Sequence, residues 1–292
     1  MPIHQEYNTL SGIDLVHAAD LLFNGKLVAI PTETVYGLAA NALNEEAILK
    51  IYDVKQRPQF NPLIIHVDSF ESALQWVQNV PAEAMVLAEK FWPGALTLLL
   101  DKKDVIPDLV TAGHTKVAIR VPDHPLALAL LKQLNFPLAA PSANPSGYVS
   151  PTAAAHVYAG LKGKIHYILD GGECKVGLES TIVGWDEGGE MIIYRLGGIS
   201  KEYIEEVVGH EVKIAKSITE NPATPGMLKS HYATSTPLHA GGLTDLLKKF
   251  SDKKCVLINY NQYQPNYPQA LQYILTPNNY LHESARNLFK IL

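Results

Sequence analysis

Several short segments of this 292-residue sequence gather side chains that could hold or activate an anionic ligand. Pro31-Thr32-Glu33-Thr34-Val35-Tyr36-Gly37-Leu38 sets hydroxyls, a carboxylate and a glycine straight after a strand pattern. Such residues suit a crevice at the carboxyl end of a strand, although a polar turn that caps the next element has the same composition. Lys55 and Arg57 follow a helical stripe and precede Asn61. Cations are favoured at a helix C-terminus in any case, but Lys55 continues the buried stripe, where an ammonium needs a partner. On the strand that follows, alternation puts His66 on the face of Ile64, opposite Leu63, Ile65 and Val67. A satisfied core histidine is the simpler reading of that position.

The strand from Lys116 to Arg120 places Lys116, Ala118 and Arg120 on one face. An anion held between the two cations is the natural relief for their repulsion; the alternative is an outward, solvated face. Ser142 and Asn144 alternate along an extended segment and offer donors and acceptors on one side. Glu179-Ser180-Thr181 opens a strand, and Tyr194-Arg195-Leu196-Gly197-Gly198 closes one. No phosphate-binding GxxxxGK[ST] or GxGxxG fingerprint, Ser-His-Asp order, CxxC pair or HExxH is present. What remains is a set of cations (Lys55, Arg57, Lys116, Arg120, Arg195) interleaved with hydroxyls and amides. That set fits polyphosphate and carboxylate recognition, with positioning and charge stabilisation as the catalytic levers.

The elements that must position these groups alternate strand and helix. Strands are expected at 26–31, 63–67, 95–100, 116–121, 137–140, 165–169, 180–183 and 191–196, with a helix at 44–55 capped by Asn44. A second helix is expected to start at Ser150-Pro151-Thr152, a cap residue followed by proline. The fold class is therefore α/β. The Pro-rich, hydroxyl-rich stretch KSITENPATPGMLKSHYATSTP breaks the pattern. It divides the chain into a first domain at 1–215, a linker at 216–237 and a small α/β unit at 238–292. The small unit carries a helix at 242–250, a strand at 255–260 and a helix at 281–292.

Hydrophobic residues at 47% and charged residues at 18% describe an ordinary globular protein. A net charge of −5 argues against a chain that coats nucleic acid, while leaving weak tRNA binding open. There is no apolar run of membrane-spanning length and no readable secretion signal, and two distant cysteines, Cys174 and Cys255, read as reduced thiols. A cytoplasmic protein with no membrane partner is the expectation.

Taken together, these motifs resemble the YrdC-like threonylcarbamoyl-AMP synthases. The matching strings are PTETVYGLAANA, Lys55 and Arg57 ahead of NPLIIHV, AIRVPDHP, APSANPSG before SPT, ESTIV, YRLGGI and TPGMLKSHYA. They keep the family's order, and the linker with its extra unit is similar to the family's long form. The resemblance implies a twisted mixed sheet with a large concave cavity and a small, Rossmann-like C-terminal unit. It implies that L-threonine, bicarbonate and ATP, with magnesium on the triphosphate, give threonylcarbamoyl-AMP and pyrophosphate. A tRNA threonylcarbamoyl transferase complex would receive the product. By the same resemblance, Thr34, His66, Arg120, Ser142 and Ser180 face L-threonine. Lys55, Arg57, Asn61, Lys116, Asn144, Thr152, Arg195 and Tyr232 face ATP, with Lys55 and Arg57 holding phosphates during adenylyl transfer and Tyr232 part of a lid. No protein metal ligand is implied. The sequence departs from the family at Ala39, where glycine is usual, in the YRLGGI turn, and in a C-terminal unit that ends early at ESARNLFKIL.

Overall fold

The computed structural model describes residues 6–215, 224–225 and 232–292. Among them, twelve strands form one mixed sheet. From one edge to the other these run Leu10–Gly12, Tyr167–Leu169, Val28–Ile30, Gly37–Asn41, Leu138–Ala139, Ile64–His66, Lys116–Arg120, Leu96–Lys102, Thr181–Trp185, Met191–Arg195 and Lys213–Ile214. Val77–Gln78 pairs with Leu96–Lys102 off this path.

All eight expected strands are present, within a few residues at their ends. Gly37–Asn41 was not legible as a strand: its glycine, leucine and three further small or polar residues show no alternation, because the strand is buried on both faces. It pairs antiparallel with Val28–Ile30, with Val28 opposite Ala39 and Ile30 opposite Gly37. The Pro31 to Tyr36 segment is thus the loop of a hairpin. Next in importance is the parallel register of Ile64–His66 on Lys116–Arg120, which sets His66 directly beside Arg120.

One face of the sheet is closed by apolar packing. Leu63, Ile65, Val67, Val117, Ile119 and Val121 join Ile48 and Ile51 of helix Glu45–Lys55 and Leu87 of helix Ala82–Phe91 in the main core. Toward one edge, Leu22 and Leu130 from helices Leu15–Phe23 and Pro125–Leu131 close the other face against Val28, Ile30 and Leu138. Between lies a small apolar floor of Ile64, Leu99, Ala118 and Ile182, on the face that also carries His66 and Arg120.

Helix Glu45–Lys55 forms as expected. Asn44 Oδ1 accepts the Ala47 N–H at 3.1 Å, Glu45 and Glu46 occupy the first turn, and Gln56 ends it in a left-handed conformation. The second expected helix begins later than proposed: it spans Ala154–Leu161. Ser150 does not cap it, because its Oγ donates to Glu179 Oε1 at 2.6 Å, and the Pro151 carbonyl accepts the Tyr36 N–H at 2.8 Å. Tertiary demand from the hairpin loop thus overrides the local cap signal.

The C-terminal unit has helices Leu243–Lys249 and Leu281–Ile291, and two parallel strands, Leu257–Asn259 and Gln272–Ile274. Residues 216–223 and 226–231 of the expected linker lie outside the described residues. No helix among those described is long and apolar enough to cross a membrane.

Candidate functional site

The hairpin loop orders its own hydroxyls. Thr32 Oγ1 accepts the N–H groups of Thr34 and Val35, both at 3.2 Å, and donates to Val35 O at 2.6 Å. The Thr34 hydroxyl, 2.8 Å away, must then donate to Thr32 Oγ1, which leaves its own lone pairs for the Arg120 Nη1 donor at 2.9 Å. Arg120 Nη2 forms an ion pair with Glu33 Oε1, while Glu33 Oε2 accepts the Asp123 N–H at 2.9 Å. Both partners are almost wholly buried, and Arg120 Nε has no hydrogen-bond partner among the described residues. The guanidinium is therefore held in a fixed plane, with donor capacity left over.

Around it opens a cleft; the empty space there, open solvent included, is about 470 Å³. Thr34, Arg57, His66, Arg120, Ser142, Ser180 and Arg195 line it, together with Glu179. Arg195 reaches in from the strand Met191–Arg195, with Nε on Ser180 O at 3.0 Å and Nη2 on Ser180 Oγ at 2.9 Å. Gly197 allows this turn: a Cβ there would lie 2.3 Å from the Glu179 carbonyl oxygen. Arg57 is fixed by Nε on Asn61 O at 3.1 Å and Nη2 on Pro62 O at 2.7 Å. Burial holds its pKa down to about 10, which leaves it a cation at neutral pH.

Lys55, Asn61 and Asn144 stand behind this lining. Lys55 is 1% exposed, and its Nζ donates to the carbonyls of Ser142 and Asn144, both at 2.5 Å. Burial, with repulsion from Arg57, holds its pKa well below the usual lysine range, and Glu179 partly opposes this. The two amide atoms of Asn61 and Oδ1 of Asn144 are buried without hydrogen-bond partners among the described residues, so both residues keep unspent polar capacity. Thr152 is also buried, its N–H 3.3 Å and its Oγ1 3.4 Å from His156 Nδ1. Tyr232 lies near Glu179 and Arg195, and burial pushes its phenol up.

Lys116 is not brought to the cleft. Its Nζ donates to the Trp185 carbonyl, and the anion expected between Lys116 and Arg120 is instead Glu33, which binds Arg120 and not Lys116. Sequence patterning passed over Glu33 and Glu179 as site residues. Both stand in the quoted motifs, but their partners are distant in sequence, and only the fold pairs them.

Burial and the adjacent Arg120 lower His66 to about 3, so the imidazole is neutral at pH 7. The unfolded chain binds a proton near pH 6.5 that the folded chain does not, so stability falls as pH drops from 6.5 toward 3. In denaturant titrations, His66→Gln should remove a slope of up to about 1.4 kcal/mol per pH unit across that window. An unchanged slope would mean that the imidazole is solvated.

This fold and site define a family. A model described as telomere recombination, covering the Sua5, YciO and YrdC proteins, matches residues 20–197. A second, described as threonylcarbamoyl-AMP synthase, C-terminal domain, matches residues 199–292. The chain belongs to the Sua5/YciO/YrdC family. Threonylcarbamoyl-AMP synthase of Pyrococcus abyssi is 42% identical over 290 residues, covering 94% of this chain and 83% of that protein. The synthase of Bacillus subtilis is 48% identical over 227 residues, covering 77% of this chain and 65% of its own length. Among solved structures, P. abyssi Sua5 complexed with L-threonine superposes with a TM-score of 0.87 at 40% identity, covering 97% of this chain and 87% of that one. E. coli YciO, at 18% identity and a TM-score of 0.60 over 68% of this chain and 99% of that one, shares the fold.

Proposed function

We propose that this chain is a threonylcarbamoyl-AMP synthase that joins L-threonine, bicarbonate and ATP, releasing pyrophosphate. The observation that carries this reading is the cleft. Three guanidiniums, those of buried Arg57 and Arg120 and that of Arg195, converge with hydroxyls on one face of the sheet. The relative solved with L-threonine and the two named synthases support it.

Arg120 is the carboxylate clamp for threonine. Thr34, neutral His66, Ser142 and Ser180 complete the amino-acid end. Arg57 and Arg195 take the phosphates, with Lys55, Asn61, Asn144, Thr152 and Tyr232 around the nucleotide. Lys116, tied to Trp185, stays outside.

Threonine's amine adds to the carbon of carbon dioxide or dehydrated bicarbonate and loses a proton, giving a carbamate. A carbamate oxygen then attacks the α-phosphorus of ATP. The bond from that phosphorus to the β-bridging oxygen breaks, and its electron pair leaves with pyrophosphate. This is nucleotidyl transfer, with magnesium entering on the triphosphate as part of the substrate. The cations spread the charge that accumulates on the leaving oxygens, and no protein nucleophile is required.

The division into a catalytic unit at 1–215, a linker at 216–237 and a C-terminal unit at 238–292 belongs to this reading. So do a cytoplasmic location and delivery of the product to a tRNA threonylcarbamoyl transferase. Pyrophosphate release should require threonine, bicarbonate, ATP and magnesium together. Release at full rate without threonine or without bicarbonate would overturn the assignment.

A further inference from the structure

Tyr232 has a backbone φ of +63°, a conformation that an aromatic residue adopts only where its surroundings impose it. Among the described residues, two sets of contacts help to do so. Ala233 forms a parallel bridge with Tyr148: its N–H donates to Gly147 O at 2.7 Å, and its carbonyl accepts the Val149 N–H at 3.1 Å. On the side-chain flank, the Tyr232 ring lies 5.2 Å from the ring of Phe289, tilted by 34°.

Phe289 belongs to the C-terminal helix Leu281–Ile291 and is 8% exposed. That helix rests on the catalytic unit. A Cβ added at Gly177 would sit 2.5 Å from Arg286 O and 2.6 Å from Arg286 Cα, so the helix backbone lies directly on the glycine. Lys290 Nζ reaches both carboxylate oxygens of Glu173, at 2.7 and 2.8 Å. An exposed ion pair of this kind adds little by itself, and the close backbone contact carries more of the fit. The same turn also feeds the site: Cys174 N–H donates to Thr152 O at 2.9 Å and Val176 N–H to Glu33 O at 2.7 Å.

We propose that Phe289 is a positioning residue, through which the C-terminal helix holds Tyr232 against the Arg195 side of the nucleotide site. The inference rests on the reading of Tyr232 and Arg195 as nucleotide contacts, and it gives the small C-terminal unit a share in ATP binding. An offset or tilted aromatic pair is worth about threefold to tenfold in an equilibrium constant.

The test uses the full chain with Phe289→Ala, Tyr232→Ala and the double variant. Phe289→Ala should raise the ATP concentration for half-maximal pyrophosphate release by about threefold to tenfold, with the threonine requirement unchanged. The double variant should be no worse than Tyr232→Ala alone. Tyr232 should also be nitrated faster by tetranitromethane in Phe289→Ala, with Tyr260 and Tyr263 as exposed references in the same digest. Phe289→Leu, which keeps most of the buried apolar volume but not the ring, should shift nitration the same way and covers the case that Phe289→Ala misfolds. Additive losses in the double variant, an equal effect on threonine, or unchanged Tyr232 nitration in the folded variants would overturn the proposal. A wild type that releases no pyrophosphate would sink the synthase reading, and nitration would still decide the role of Phe289.

Discussion

Arg120→Met should abolish threonine binding and destabilise the fold by about 3–5 kcal/mol, because it strands the Glu33 carboxylate in the interior. The double variant Glu33→Met/Arg120→Met should recover most of that stability, since the pair then becomes two apolar side chains of similar volume. It should recover none of the threonine affinity. Chemical denaturation and threonine titration calorimetry on the three proteins separate the two effects. The proposed function gives Arg120 two jobs, partner of a buried anion and clamp for a substrate carboxylate through its remaining donors. A double variant as unstable as Arg120→Met would mean that Glu33 reaches solvent or another cation, against its 4% exposure. Retained threonine binding in Arg120→Met would remove the carboxylate clamp from the account.

Lys55→Met should lower the rate of pyrophosphate release by about 100-fold to 1,000-fold, the usual cost of removing one preorganised donor near developing charge. Its stability cost should be smaller, about 1–3 kcal/mol, from leaving the carbonyls of Ser142 and Asn144 unsatisfied. The pH dependence is diagnostic. Burial lowers the lysine's proton affinity in the free protein, and a triphosphate beside it restores that affinity. At pH values between the depressed pKa and the higher one that the bound triphosphate restores, ATP binding therefore takes up a proton, and ATP affinity falls as pH rises. Binding measured in buffers of different ionisation enthalpy should show this uptake in the wild type and lose it in Lys55→Met. Equal uptake in both proteins would assign Lys55 to the Ser142–Asn144 loop alone.

Much of this is legible in the sequence. Alternation placed His66 with Ile64 on one face, and both line the cleft. The helical stripe put Lys55 inside, where it is buried against two carbonyls. Periodicity works at these positions because a neighbouring layer fixes the face. It failed at Gly37–Asn41, whose small residues are buried on both sides and show no period. It failed again at Ser150, where the carboxylate of Glu179 outcompeted a helix N-terminus for the hydroxyl. Lys116 misled because strand alternation gives a face but not a partner, and its amine turns to the Trp185 carbonyl. The Glu33–Arg120 pair spans 87 positions of sequence, so only the register that brings the hairpin loop over the central strands creates it.

The central claim is that this cleft joins a carbamate of threonine to the α-phosphate of ATP. The most direct measurement supplies isotope-labelled bicarbonate with threonine and magnesium ATP, and examines the products by mass spectrometry. The expected result is threonylcarbamoyl-AMP carrying the labelled carbon, formed in step with pyrophosphate. ADP and phosphate, or AMP and pyrophosphate with no labelled carbamoyl adenylate even in rapidly quenched samples, would contradict it.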